Sequence, residues 1–255
     1  MAPVCSTKGS SIARALICVG PCITLAVVWI CTDPLHNKIQ SSYRLGDAVG
    51  GYLFNSVGCA NLRVQYSRDY PGSIATEYVQ STCSSKNWNL LSMIVNRRSS
   101  PARVSDAVIH IRLGDVAERS NIQSVWKATK KCTSVFPTAS RVPDCWYIRS
   151  ALFFKTVVIP ALVARNVTFV LFVGSSRHCV LWARHACQSR NSDWYRVKVT
   201  RLFEQAGFGV SWSWNQPPDP DFLIMATARV FVQSGGGFSS SAAHCVSINN
   251  GTVIK

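Results

Sequence analysis

From residue 106 onward the chain alternates short continuous apolar runs with stretches whose apolar residues recur at helical spacing. The run "DAVIHIRLGDV" (106–116) predicts a covered strand that stays apolar until charge begins at His110, followed by Arg112, a turn at Gly114 and Asp115. "VTFVLFVG" (167–174) is a second covered strand ended by glycine, and "CVLWARHACQ" (179–188) has the pattern of the helix that follows it. "VKVTRLFEQAGF" (197–208) predicts a helix ending at Gly207, and "GVSWSW" (209–214) alternates as a strand. "DPDFLIMATA" (219–228) predicts a helix with Asp219 and Asp221 in its first turn and Pro220 near its start. "RVFVQ" (229–233) is a short strand, and "SGGGFSSSAAHC" (234–245) is a Gly-rich loop running into a helix. Alternating strands and helices of this kind predict an α/β fold with a parallel sheet and helices on both faces. Upstream, "RLGDAVGGYLFNSVGCANL" (44–62) reads as a loop leading into a helix, and "SSPAR" (99–103) as a linker-like break.

The N-terminus has a different pattern. After Lys8 and Arg14 come seventeen uncharged residues, "ALICVGPCITLAVVWIC" (15–31). Their position, the basic flank before them and the lack of a small-x-small cleavage site predict an uncleaved signal anchor, a transmembrane helix in which Pro21 is tolerated. Positive charge on the short N-terminal side keeps residues 1–14 cytoplasmic and sends the remainder into the lumen, giving a type II single-pass membrane protein. Residues 32–43 are polar, contain Pro34 and serve as a stem.

Composition narrows the partners. At 47% hydrophobic the chain is not globally disordered, and 27 basic against 12 acidic residues give +15, so an anionic partner is expected. Basic residues are spread out, the densest being the pairs Arg97-Arg98 and Lys130-Lys131, which argues against a nucleic-acid arm. Of eleven cysteines, seven lie beyond the anchor; none forms a CxxC pair, and disulfides are favoured over a metal site, with Cys132/Cys145 and Cys179/Cys187 as local candidates. Asn166-Val-Thr and Asn250-Gly-Thr are glycosylation sequons.

The candidate chemistry gathers at two strand ends. Ligands of open α/β sheets bind beyond the carboxyl ends of the strands, which aims Arg112 at a ligand; the plainer reading makes Arg112 and Asp115 a surface ion pair. The Gly-rich loop between a strand and a helix presents backbone N–H groups and a helix N-terminus, a phosphate-binding combination. Gly235, Gly236 and Gly237 permit close approach of a pyrophosphate, Ser234 and Ser239 add hydroxyls, and Phe238 packs under the loop or against a base. The glycine spacing is neither Walker A nor the dinucleotide fingerprint.

Taken together, "HIRLGD" (110–115) and "DFLIMATARVFVQSGGGFSSSAA" (221–243) resemble the fucosyltransferase superfamily that includes the α1,2-, α1,6- and protein O-fucosyltransferases. Its members carry a His-x-Arg-Arg-Gly-Asp-like motif and, in the α1,2 group, a later Ser-Asn-Ser-Thr-Phe-Ser-Trp-Trp-Ala-Ala-like segment. "GDAVGGYLFN" (46–55) is similar to their Gly-x-Gly-Asn-Gln-Leu-Phe loop. The resemblance implies a GT-B-like fold with Rossmann-type lobes, here with residues 44–105 as a reduced N-terminal lobe and 106–255 as the nucleotide-sugar-binding lobe. It implies inverting transfer of fucose from GDP-fucose to a glycan or glycoprotein hydroxyl in the Golgi or ER, with no cofactor or metal required. Arg112 takes the donor pyrophosphate; His110 orients the loop or touches the nucleotide; Asp221 matches an acidic residue that contacts guanine or supports the phosphate loop; Gly114 and residues 234–239 belong to the donor site. Asp115, Asp47 and His110 are the candidate bases, with Asp115 also placed to hold Arg112. Leu113 stands where the family has its second Arg, glycines replace its Asn-Ser-Thr, and serines replace both Trp residues. These departures keep two alternatives open: a non-catalytic relative binding glycan or nucleotide, and the same fold using another nucleotide sugar.

Overall fold

The computed structural model describes residues 45, 49, 58–84, 86–99, 106–129, 147–176 and 189–255, all within a unit spanning residues 38–255. The predicted anchor (15–31), the candidate base Asp47 and the local disulfide candidates of residues 132, 145, 179 and 187 lie outside the described residues. So does the helix expected over 179–188. Among the described residues no helix is long and apolar enough to cross a membrane.

Five strands form one parallel sheet: β1 (Ala107–Ile111), β2 (Phe169–Gly174), β3 (Gly209–Trp214), β4 (Val230–Val232) and β5 (Thr252–Ile254), in the order β3-β2-β1-β4-β5. The chain winds outward from β1 through β2 to β3, then returns to pair β4 on the other side of β1. The switch point therefore falls between β1 and β4, where the order reverses and where ligands of open α/β sheets bind, in the crevice beyond the carboxyl ends. Register there is Val108↔Phe231 and Ile109↔Val232, which brings the ends of "HIRLGD" and "VFVQSGGG" side by side.

Period-two alternation assigns the strand residues to two cores. Val108, Val173 and Phe231 face one layer, built from α1 (Cys59–Asp69), α2 (Ile74–Ser81), α3 (Trp88–Arg98), α9 (Pro218–Ala226) and α10 (Gly237–Ile248). Ala107, Ile109, Ile111, Val170, Phe172, Val230 and Val232 face the other. That layer holds α4 (Asp115–Arg119), α5 (Ile122–Lys127), α6 (Ala151–Phe153), a π-helical turn (Phe154–Val158), α7 (Ile159–Val163) and α8 (Arg190–Gln205). The expected parallel sheet with helices on both faces is thus present. The segment from Cys59 to Arg98 shares its core with β1, β4, α9 and α10, and α3 docks on α10 through stacking of Trp88 on His244 at 4.1 Å.

Local signals set the helix starts. Ser73, Asn87, Asn121 and Ser150 cap α2, α3, α5 and α6, each accepting a backbone N–H from the first turn. The helix expected over 197–208 begins earlier, at Arg190, because Glu118 caps it from a distance. Its carboxylate accepts the N–H groups of Asn191 at 3.2 Å and Ser192 at 2.9 Å, an anion on a helix N-terminus. β5, unmarked in the sequence, completes the sheet beyond β4.

The described disulfide joins Cys59 and Cys83, a pair the spacing did not single out, while both local candidates lie outside the described residues. It closes a loop of sequence separation 24 around α1 and α2. Loop-closure entropy for that length is about 3 kcal/mol, so Cys83→Ser is expected to lower stability by roughly that amount. Denaturant titration of the oxidised protein and the variant checks this, and equal midpoints at equal slopes would refute it.

Candidate nucleotide site at the sheet switch point

The carboxyl ends of β1 and β4 build the site. His110, the last but one residue of β1, is buried with Nδ1 2.6 Å from Ser234 Oγ across 124 residues of sequence. The Ser234 N–H donates to Ser239 Oγ at 3.1 Å, so the loop is braced at both ends before α10 begins. Ser239 is fully buried and its acceptor is used inside the loop, which makes it a brace. Phe238 wedges between His110, edge-on at 6.0 Å, and Phe222 at 5.2 Å. It packs under the loop, the first of the two arrangements expected for it.

The loop's conformation depends on glycine at one position. Gly236, the residue before α10, has φ +98°, a region L side chains rarely adopt. A side chain there would also point at the crevice: its Cβ would lie 3.7 Å from Arg112 Nη1 and 4.0 Å from Tyr147 Cε1. Arg112 thus leaves the end of β1 and brings its guanidinium to the start of α10. The N-cap residue of that helix, Gly236, offers no side chain, and no side-chain cap on its first N–H groups is present among the described residues. An arginine beside an uncapped helix N-terminus of twelve residues is a site of converging positive potential.

The other expected residues divide. Gly114 has φ +66° and gives its N–H to Ser192 Oγ at 3.2 Å, so it makes the turn that ties β1 to the start of α8. Asp115 opens α4. Leu113, at the position of the second motif Arg, is buried in the second core. Asp221 is buried in the first turn of α9 and accepts a hydrogen bond of 2.6 Å from Ser213 Oγ at the end of β3. Burial pushes its carboxyl up to about 7, opposed by the Ser213 hydrogen bond. Asp221 reaches the glycine loop only through its neighbour Phe222, which touches Phe238. Asp219 spends its carboxylate on the N–H of Ile74 at 2.8 Å, pinning α2 to α9.

Two residues at this edge escape the sequence reading, Tyr147 and Arg149. Arg149 Nη2 donates to the carbonyl of Gln233 at 3.2 Å, the residue just before Ser234. Nothing in "DCWYIRS" signals a strand end or a motif; only the return of the chain over the sheet edge brings these side chains in.

No protein-family profile matches the chain, and no curated protein matches it in sequence. Among solved structures it is distantly similar to POFUT1, a protein O-fucosyltransferase. POFUT1 in complex with GDP aligns at a TM-score of 0.35 and 13% identity over 82% of this chain and 62% of that one. POFUT1 in complex with GDP-fucose aligns at 0.34, with the same identity and coverage. The chain therefore spans less than two thirds of the length of these structures.

Proposed function

We propose that the crevice between β1 and β4 binds a nucleoside-diphosphate sugar and that the chain is a fucosyltransferase-like glycosyltransferase using GDP-fucose. The observation that carries this reading is the convergence of the Arg112 guanidinium, the positive-φ Gly236 and the uncapped start of α10 at the switch point. A diphosphate matches those groups. Its oxygens take the first-turn N–H groups of α10 and the fork of Arg112, and the glycine loop leaves room for close backbone approach.

In this reading each residue acts on the leaving group. As the bond from the sugar's anomeric carbon to the diphosphate oxygen breaks, negative charge grows on GDP, and Arg112 with the helix amides stabilises it. His110 and Ser234 hold the loop in register, leaving His110 Nδ1 engaged. The acceptor hydroxyl attacks from the opposite face of the sugar, inverting the anomeric centre, and loses its proton to a carboxylate for which Asp115 and Asp47 are the candidates. The acceptor is a glycan or a glycoprotein hydroxyl. A luminal Golgi or ER setting behind an anchor at 15–31 belongs to the same proposal, and the Cys59–Cys83 disulfide is in keeping with an oxidising compartment.

One observation favours a second reading. With Leu113 in the core, the motif supplies one guanidinium where the resembling family has two, which suits a relative that binds the nucleotide without transferring the sugar. Calorimetric titration of the full chain with GDP-fucose, GDP, GDP-mannose and UDP tests both. GDP-fucose binding together with slow GDP release in the presence of acceptor glycans supports transfer; binding without release selects the second reading. A folded protein that binds none of the four overturns the site itself.

A further inference from the structure

We propose that Arg149 is a second guanidinium of the β1–β4 crevice, gripping the same diphosphate as Arg112. This rests on the nucleotide-binding reading and adds to it a residue that the motifs do not contain.

The first observation is place. Arg149 lies just ahead of α6, on a segment that crosses the carboxyl edge of the sheet. Tyr147, two residues before it, borders the Gly236 position that Arg112 also borders, and Arg149 Nη2 bonds the carbonyl of Gln233, next to Ser234. Both arginines therefore reach the residues 233–236. The second is preorganisation. The Arg149 carbonyl accepts a hydrogen bond of 2.6 Å from Tyr195 Oη, and its guanidinium carbon sits 4.5 Å over the Phe153 ring. Ring stacking leaves the edge of the planar fork for polar partners.

The third observation is charge. Among the described residues no carboxylate lies within 4.0 Å of Arg149, whose Nε is buried and makes no hydrogen bond. The charged form is correspondingly disfavoured by burial. Tyr195, the neighbour that interacts with it electrostatically, holds its phenol proton because burial raises its pKa as well. Proteins pair buried cations because an unpaired one is costly to desolvate. Gln233 Oε1, on the residue whose carbonyl Arg149 bonds, is likewise buried without a hydrogen bond among the described residues. A dianionic ligand supplies the missing counter-charge. Phosphate oxygens reach Arg149 at the Nη end of its part-buried guanidinium, beside the Gln233 carbonyl that Nη2 already bonds.

The test uses the full chain and inorganic pyrophosphate, which isolates the anion from the nucleoside. Arg149→Gln is expected to weaken pyrophosphate and GDP binding about ten- to hundredfold, the scale of a lost charge-assisted hydrogen-bond pair. Arg149→Lys is expected to recover part of it, keeping the charge without the fork. Thermal unfolding without ligand reports the fold separately. Wild-type affinity in folded Arg149→Gln overturns the proposal. If GDP binding is lost in Arg112→Ala but intact in Arg149→Gln, the nucleotide reading survives and Arg149 falls. If pyrophosphate binds through Arg149 while no nucleotide binds, the anion site survives and the nucleotide reading falls. Should the variants not fold, modification of Arg149 by a dicarbonyl reagent in the wild-type chain, followed by peptide mass spectrometry, decides: saturating pyrophosphate must slow it, and an unchanged rate overturns the proposal.

Discussion

Replacing Arg112 with alanine is expected to weaken GDP and GDP-fucose binding at least a hundredfold and to remove any sugar transfer. The argument is geometric and then electrostatic. Arg112 Nη1 lies at the Gly236 position, at the start of an α10 whose first N–H groups have no side-chain cap among the described residues. A guanidinium there makes up to two charge-assisted bonds to a diphosphate, each worth about 1.5–3 kcal/mol. Their loss falls mainly on the state in which GDP carries its full departing charge, so transfer declines more steeply than ground-state binding. Arg112 is part-exposed and is not in the hydrophobic cores, so the thermal midpoint of the variant should change little. Calorimetry with GDP alongside a GDP-release assay checks both halves. An unchanged affinity in the variant would remove the donor from this crevice.

The second large effect concerns stability and pH. Asp221 has an ordinary carboxyl pKa near 3.8 when exposed, and burial raises it to about 7 in the folded protein. The folded state therefore holds a proton that the unfolded chain has already released between pH 4 and 7. Stability from this group is fully present below about pH 4 and is lost as pH rises towards 7. The loss amounts to about 4 kcal/mol at most, at 1.36 kcal/mol per unit. Asp221→Asn keeps an oxygen to accept from Ser213 Oγ and cannot ionise. It is expected to match the wild type near pH 4 and to exceed it at pH 7 and above. Denaturant unfolding of both proteins across this range checks it, and parallel stability curves would show that Asp221 is not held protonated. The same comparison bears on the donor site, because Phe222 beside Asp221 supports Phe238 under the glycine loop.

The elements that were legible in the sequence are those whose signal is local. β1, β2 and β3 are runs of five or six residues with clear strand character, and the start of α10 is marked by its glycines. β5 was not legible: three residues, "TVI", have no period of their own and become a strand through pairing with β4. α1 was equally obscure, since only Leu62 and Tyr66 are buried on it while Val64 is exposed, and its apolar stripe is thin. The start of α8 was missed because its cap, Glu118, is supplied by another segment. The side-chain caps Ser73 and Asn87 were available as signals for α2 and α3.

The candidate site divides along the same line. The types of residue present, an arginine after a strand and glycines before a helix, are written in the chain, because backbone conformation and side-chain chemistry act over a few residues. Their meeting is not. His110 finds Ser234 across 124 positions because β4 returns to pair with β1, and Arg149 joins them because the segment before α6 crosses the sheet edge. The sequence by itself determined the parallel α/β class, the glycine loop and the charge that calls for an anionic partner. Only the tertiary structure decided that Leu113 turns into the core, that Ser239 braces the loop, that Cys59 pairs with Cys83 and that Arg149 stands at the crevice. These depend on strand order, register and packing between distant segments, and that information is stored in no single stretch of the chain.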